Sequence, residues 1–476
     1  MKVKALTSAC LLALGASQAH ALDPATTGAA TTVKVFGSGA SAQINTITGL
    51  FGTLCDGTPD VYTFSGNVKG VSCKVKAGVS ELAGKNVFLS YNADGGSGNG
   101  VYPIAKLVGS GGAFTADPAA QRPQIVDPAS CTGSSPNYTC ASATLGNRWS
   151  DFGVSDVEPA MFAFDLNKPA AFASTSLEQF ELDNMDVGSQ FQVVFGIAAT
   201  NKLYNDLATA QGVSVPSIPR TALSSLLAGN LSDPASGLGW QVLFADGVGP
   251  DATASSGAVN IGRRVNGSGT QTAANAYFLG YGCSPTANLV PADASYTNPG
   301  SIVVNEGSGT SNVTAFLNAR NTAGEYGIGL VSKENSNVGQ GWTHVAIDGV
   351  VPSRDNAKSG KYDYVYEQTM QWNTKYLDDF RTVAGPTGAG YALPVGVTVA
   401  NLKNFLSVFR TRSGAPLVLD SLASAATKEG ITALINDTEG YIYNDSAATP
   451  EGLANKKFVS RMTRNGSSCQ TPIWNK

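Results

Sequence analysis

Short strand-like runs alternate with helix-like stretches along most of this chain, and that alternation limits the folds open to it more than any other feature. The strand-like runs are TTVKVFGSG, KNVFLSY, FQVVFGIAAT, YGIGLVS and HVAIDGVVP, and the helix-like ones are SAQINTITGLFGTL, RTALSSLLAGNL, QTAANAYFLGYG, NVTAFLNAR and VANLKNFLSVFR. Such alternation predicts an α/β protein with largely parallel sheets. At 476 residues the chain is too long for one ordinary core, so two domains are expected. The segment Lys106 to Asn147, rich in Gly, Ser, Pro and Ala, fits no element and reads as a surface insertion pinned by a disulfide. A second loose region runs from Ser284 to Gly300. No fixed-period repeat is present, which sets aside solenoids and propellers.

The first residues fix the compartment. Lys2 and Lys4, an apolar run from Ala5 to Ala16, and Ala19-His20-Ala21 form a secretory signal peptide, predicted to be cut after Ala21. Thr7-Ser8-Ala9 before Cys10 is a poor lipobox, and no later run is long enough to span a membrane. A soluble, periplasmic or secreted monomer is expected. Cleavage would take the 31 basic residues to 29 against 35 acidic ones, a net charge of −6. That balance argues against nucleic acid and anionic membranes, which recruit dense Lys/Arg patches, but leaves a buried site free to bind a small anion.

Six cysteines remain after cleavage, and in an oxidising compartment disulfides are the default. Nearness in sequence suggests Cys55–Cys73 and Cys131–Cys140, which leaves Cys283–Cys469. Histidine is almost absent: His20 leaves with the signal and His344 stands alone in GWTHVAIDG. A Ser-His-Asp hydrolase would have to build on His344, and a zinc site would lack its usual imidazole and thiolate ligands. His344 reads as a structural residue, and neither a metal nor a cofactor is expected.

Four stretches share a turn of small residues placed to free backbone N–H groups at a helix start or strand end: VFGSGASAQINTI (Val35 to Ile47), SYNADGGSGNGVYPIA (Ser90 to Ala105), SDFGVSDVEPAMF (Ser150 to Phe162) and RRVNGSGTQTAANAYF (Arg263 to Phe278). Singly, each is more often a solvent loop with a helix cap. Together they could supply what a tetrahedral oxyanion needs, many donors converging from different directions.

In this order the four stretches resemble the phosphate-binding proteins of bacterial phosphate ABC transporters, a branch of the type II periplasmic binding proteins. Gly37 to Ala42 matches the form of the family's opening Gly-Ala-Gly-Ala-Thr-Phe turn. Gly96-Ser97-Gly98 and Phe152-Gly153-Val154-Ser155-Asp156 match its second and third turns, and Arg263 to Thr270 its Arg-(Arg)-x-Asp-Gly-Ser-Gly-Thr block. The resemblance implies two α/β lobes closing like a hinge on a ligand: residues 22–195 plus 361–476, and residues 196–360. It implies that Ser41 gives a hydroxyl and N–H, Ala42 an N–H, and Ser97 a hydroxyl, while Asp156 accepts a proton carried by the ligand. Arg264 would give its guanidinium fork, and Ser268, Gly269 and Thr270 donors at a helix start. Asn266 stands where the family has a carboxylate that orients the arginine, which leaves the site less negative by one unit.

The implied function is uptake of an oxyanion, inorganic phosphate first, delivered to an ABC permease, with no catalysis. Arsenate, sulfate and a phosphate ester remain open as ligands. The alternatives are an extracellular structural, adhesive or scavenging protein with an altered anion site, or a secreted phosphatase. The tetrapeptide GSGT recurs at Gly307 to Thr310, where the preceding Glu306 would repel an anion. The first copy is therefore expected to bind ligand, and the second to act only as a helix cap. A Cys283–Cys469 bridge would tie the second lobe to the tail of the first and limit its opening.

Overall fold

The computed structural model describes residues 22–475, apart from 42, 111–112, 231–239, 245–257, 285–288, 296–301, 376 and 383–391. The signal peptide expected over residues 1–21 lies outside the described residues, as does Ala42. Among the described residues, no helix is long and apolar enough to cross a membrane.

The chain is α/β and is organised around two large sheets. The elements that matter here are β1 (Val33–Gly39), α1 (Ile44–Gly52), β2 (Asn86–Asn92), β3 (Phe152–Ser155), β4 (Met185–Val194) and β5 (Ile197–Thr200). After them come β6 (Val259–Arg264), α2 (Gly269–Leu279), β7 (Ile302–Gly307), α3 (Thr310–Thr322), β8 (Gly327–Leu330), β9 (Val365–Asn373) and α4 (Val399–Ser413). The first sheet runs in the order Ile431–Thr432, β4, β9, β3, β1, β2, Val68–Lys74, Asp60–Thr63, Asn137–Thr139, Thr132–Ser134. The second runs β7, β6, β8, β5, Trp342–His344.

Both sheets are mixed rather than largely parallel. β1 pairs in parallel with β2 and β3, but β9 runs antiparallel to both β3 and β4. β9 reaches these partners from far along the chain, whereas Asp60–Thr63, Val68–Lys74 and β2 are joined by short links and pair antiparallel in succession. In the second sheet β6 is parallel to β7 and β8, with Arg264 level with Gly307.

The segment expected to be a loose insertion is built into the first sheet. Thr132–Ser134 and Asn137–Thr139 form a hairpin closed at its base by Cys131–Cys140, and Asn137–Thr139 adds in parallel to Asp60–Thr63. Arg122–Ile125 pairs antiparallel with Leu145–Arg148. A small separate core of Tyr62, Val68, Phe88, Ile125 and Tyr138 sits beneath, with Tyr62 stacked on Tyr138 at 5.0 Å. Of the second expected loose region, Ser284 to Gly300, only part lies within the described residues.

Two crossings join the sheets. β4 runs straight into β5, and β9 brings the chain back. Phe195 N–H donates to Tyr364 O at 3.1 Å, and the Tyr362 hydroxyl donates to Phe195 O at 2.8 Å, so the two crossings are bonded to each other. The segment after β8 lies along them, with Val331 N–H donating to Gly196 O at 3.2 Å and Lys333 N–H to Val194 O at 2.8 Å. α4 shows why the C-terminal part belongs with the first sheet. Its Leu402, Phe405, Leu406 and Phe409 form one buried stripe at helical spacing. Phe409 meets Phe51 of α1 edge-on at 5.8 Å and Phe152 of β3 at 6.0 Å.

Cysteines pair as Cys55–Cys73, Cys131–Cys140 and Cys283–Cys469. His344 is buried with Nε2 3.0 Å from Val331 O, and burial pushes its pKa down to about 3, so it stays neutral.

Candidate functional site

Three of the small-residue turns meet at the ends of β1 and β3. Gly153 packs so closely on the turn after Ser97 that a Cβ there would lie 1.6 Å from Gly100 O. Ala40 N–H donates to Val154 O at 2.9 Å. Backbone thus packs on backbone, which only glycines allow, and Ser41, Ser97 and Asp156 emerge from neighbouring turns. Asp156 N–H donates to Ser97 Oγ at 3.1 Å.

The fourth turn comes from the second sheet and meets the first three. Gly98 N–H donates to Gly267 O at 2.8 Å. A Cβ on Gly269, the first residue of α2, would lie 2.3 Å from Ser97 Oγ and 2.7 Å from Asp156 Oδ2. The N-terminus of α2 therefore abuts the Asp156 carboxyl, with Ser268 as N-cap making no side-chain capping bond. The N–H groups of Gly269, Thr270 and Gln271 have no intrahelical acceptor, and the helix dipole adds positive potential there. Ser268 N–H is unavailable, because it donates to Val265 O at 3.2 Å. Replacing Gly269 with alanine is expected to force this seam apart and weaken anion binding at least about tenfold. Titration of the variant checks it; unchanged affinity would contradict this placement.

Arg264 is completely buried at the end of β6. Its Nε donates to Gly307 O at 3.1 Å and Nη1 to Thr310 Oγ1 at 3.2 Å. Nη2 donates both to Ser308 O and to Ser41 Oγ, each at 2.7 Å. A guanidinium has five N–H donors, so one on Nη1 is left for a ligand. The fork expected to be free for a ligand is largely taken up by protein oxygens.

The second GSGT, read as a helix cap only, also binds Arg264. It does start α3, with Gly309 as N-cap. However, β6 and β7 are adjacent parallel strands that end level with each other, so both turns open side by side and the second grips the arginine of the first. The Glu306 carboxylate lies 3.6 Å from Arg263 Nε. Asn266 also differs from expectation: its Oδ1 accepts from Arg263 Nη2 at 2.8 Å, and not from Arg264. Asn266 and Glu306 help to line a cavity of about 570 Å³, together with Arg122 and Lys168.

Arg264 and Asp156 act on each other electrostatically. Burial pushes the Asp156 carboxyl up to about 6, against the pull of Arg264 and Ser97. Burial also lowers Arg264 to about 10, which Asp156 opposes. Glu334, on the segment alongside the crossings, is raised to about 8 by burial, with Asp156 adding to the shift.

Several buried polar atoms of these turns have no hydrogen-bond partner: Asp156 Oδ1, Thr270 Oγ1, and both Nε2 and Oε1 of Gln43. Such atoms are rare, because each forfeits its hydration. Gln43 was not singled out from the sequence, and Ser308 and Thr310 were read only as part of a helix cap. Gln43 lay inside a quoted turn but has no capping preference to mark it, and the role of Thr310 depends on strand register.

No family model matches the sequence, and no curated protein matches it. Among solved structures, it is similar to a proposed phosphate ABC transporter substrate-binding protein from Clostridium perfringens with bound phosphate. The TM-score is 0.35 at 12% identity, covering 73% of this chain and 92% of that one. It is also similar to an ABC-type phosphate transport receptor from Vibrio cholerae, with a TM-score of 0.31 at 12% identity over 58% of this chain and 79% of that one. PstS from Borrelia burgdorferi gives a TM-score of 0.31 at 11% identity, over 73% of this chain and 92% of that one.

Proposed function

We propose that the protein is an exported solute-binding protein that holds a small tetrahedral oxyanion, inorganic phosphate first, between its two sheets for delivery to an ABC permease. The observation that carries this reading is that Arg264 and Asp156 are both buried where the turns meet and act on each other electrostatically, with Asp156 Oδ1 and Thr270 Oγ1 lacking partners. Arg264, the start of α2 and the Ser41 and Ser97 hydroxyls supply positive potential and donors. Asp156 supplies one acceptor, which a proton-bearing anion can satisfy. The two lobes are residues 22–195 plus 361–476, and residues 196–360, with the paired crossings as hinge. The protein works as a monomer and carries out no chemistry on its ligand.

Selectivity follows from Asp156. Above about pH 6 its carboxyl is ionised, so it accepts the hydroxyl of hydrogen phosphate or hydrogen arsenate and repels sulfate, which has no proton to give. Calorimetric titration near neutral pH is expected to show phosphate and arsenate at least about 100-fold tighter than sulfate, a gap of roughly 3 kcal/mol. As pH falls through about 6, Asp156 gains its proton and the penalty on sulfate shrinks. Asp156→Asn removes the repulsion at every pH and narrows the gap. Absence of heat with all three anions would refute the reading.

A further inference from the structure

The helix start beside Ser41 carries a group that the anion site as described does not use. Gln43 is the N-cap of α1 but makes no side-chain capping bond. It is fully buried, and neither end of its amide has a partner. Two residues earlier, Ser41 Oγ accepts from Arg264 Nη2 at 2.7 Å. Gln43 therefore belongs to the turn that reaches the arginine, at a helix N-terminus whose free N–H groups favour an anion. A buried amide left unpaired at both ends is strongly unfavourable unless a ligand completes it.

The unpartnered atoms differ in kind. Thr270 Oγ1 and Gln43 Nε2 can donate, while Asp156 Oδ1 and Gln43 Oε1 can accept. A fully deprotonated oxyanion offers only acceptors, and would leave both protein acceptors bare. One hydroxyl on the anion satisfies Asp156, and a second is needed for Gln43.

We propose that Gln43 contacts the ligand and sets its class: Nε2 donates to one oxygen of the anion and Oε1 accepts from a hydroxyl on another, selecting an oxyanion with two hydroxyls, such as dihydrogen phosphate or dihydrogen arsenate. This rests on the oxyanion reading of the same site. Gln43→Met keeps the length of the side chain and removes both hydrogen-bonding groups. The full chain and this variant are titrated with inorganic phosphate from about pH 5 to about pH 8, a range that spans the second ionisation of a phosphate group. The charged and titratable groups around this turn, Asp156, Arg264, Glu334, which acts on Asp156, Tyr91 beside Ala40 and Lys69 beside Asn45, are common to both proteins and largely cancel in the affinity ratio.

The variant is expected to bind at least about tenfold more weakly at the acid end, with the loss shrinking toward the alkaline end. Its ligand-free melting temperature should be unchanged or higher, because no polar atom is left buried and bare. An equal loss at every pH, no loss at all, or a lower melting temperature with unchanged affinity each overturns the inference. If the wild type binds and the variant matches it, only the role of Gln43 falls. If the wild type binds no oxyanion, the proposed function falls with it.

Discussion

Replacing Arg264 with alanine is expected to abolish anion binding and to destabilise the protein by about 3–5 kcal/mol, the usual cost of stripping one partner from a buried charge pair. The side chain is wholly buried, and its charge pulls against the burial that raises the Asp156 carboxyl. Its loss leaves that carboxyl buried without the charge that pulls its pKa down, so Asp156 then titrates above its present value of about 6. It also strands Gly307 O, Ser308 O, Thr310 Oγ1 and Ser41 Oγ, which hold the two GSGT turns and the Ser41 turn together. Arg264→Lys keeps the charge but has a single ammonium in place of a planar fork, so it should recover part of the stability and little of the affinity. Calorimetry with thermal unfolding checks both effects. An alanine variant that binds phosphate within a few-fold of wild type would remove Arg264 from the site.

The second large effect concerns Cys283–Cys469. The bridge spans a sequence separation of 186 and ties the end of α2 to the C-terminal tail. That tail is anchored two residues from Asp156: Glu158 N–H donates to Ser468 Oγ at 3.1 Å, and Ser468 N–H donates back to Glu158 Oε1 at 2.8 Å. Midway along α2, Asn275 Nδ2 donates to Asn167 Oδ1 at 2.9 Å. The start of α2 thus abuts Asp156 and its middle is hydrogen-bonded to Asn167, while just past its end Cys283 is bound covalently to the tail that hydrogen-bonds Glu158. The double variant Cys283→Ala/Cys469→Ala is expected to lose about 4–5 kcal/mol of stability, from the entropy of so large an open loop. The sheets should also part more freely, raising the phosphate off-rate at least about tenfold, which stopped-flow release would register. Lower stability with an unchanged off-rate would make the bridge a staple for folding and not a limit on opening.

Much of the fold was legible because its strands and helices announce themselves. TTVKVFGSG, KNVFLSY and VANLKNFLSVFR became β1, β2 and α4 through β-branched runs and a helical apolar stripe. β9 was not legible: all nine residues of VYEQTMQWN are buried, yet Glu367, Gln368, Thr369, Gln371 and Asn373 are polar. Most of their polar atoms are satisfied by particular distant partners, although Gln368 Oε1 has none. Gln371 Nε2 donates to Gly100 O at 2.8 Å, and Glu367 Oε1 accepts from Arg464 N–H at 2.7 Å. Hydrophobic patterning cannot anticipate such pairings. The insertion between residues 106 and 147 was misread for a similar reason, since short strands rich in Gly, Ser and Thr look like loops until a neighbouring edge pairs with them.

Within the site, the turns that meet were readable as turns, and their small residues pointed to freed backbone N–H groups. The use of the second GSGT was not readable, because two identical tetrapeptides differ only in what stands beside them. Parallel pairing of β6 with β7 places Arg264 level with Gly307, and that register turns a helix cap into a clamp. Glu306, which by sequence seemed to mark the second turn as hostile to anions, is drawn to Arg263 instead.

The central claim, that an oxyanion is buried between the two sheets on Arg264 and Asp156, is tested most directly by a crystal structure of the protein grown with arsenate, using the anomalous signal of arsenic. The account predicts one strong arsenic peak enclosed by Ser41, Ser97, Asp156, Arg264 and the start of α2, with its oxygens within hydrogen-bonding distance of Thr270. Arsenic found only on the protein surface, or in the cavity beside Asn266 with nothing at Arg264, would contradict it.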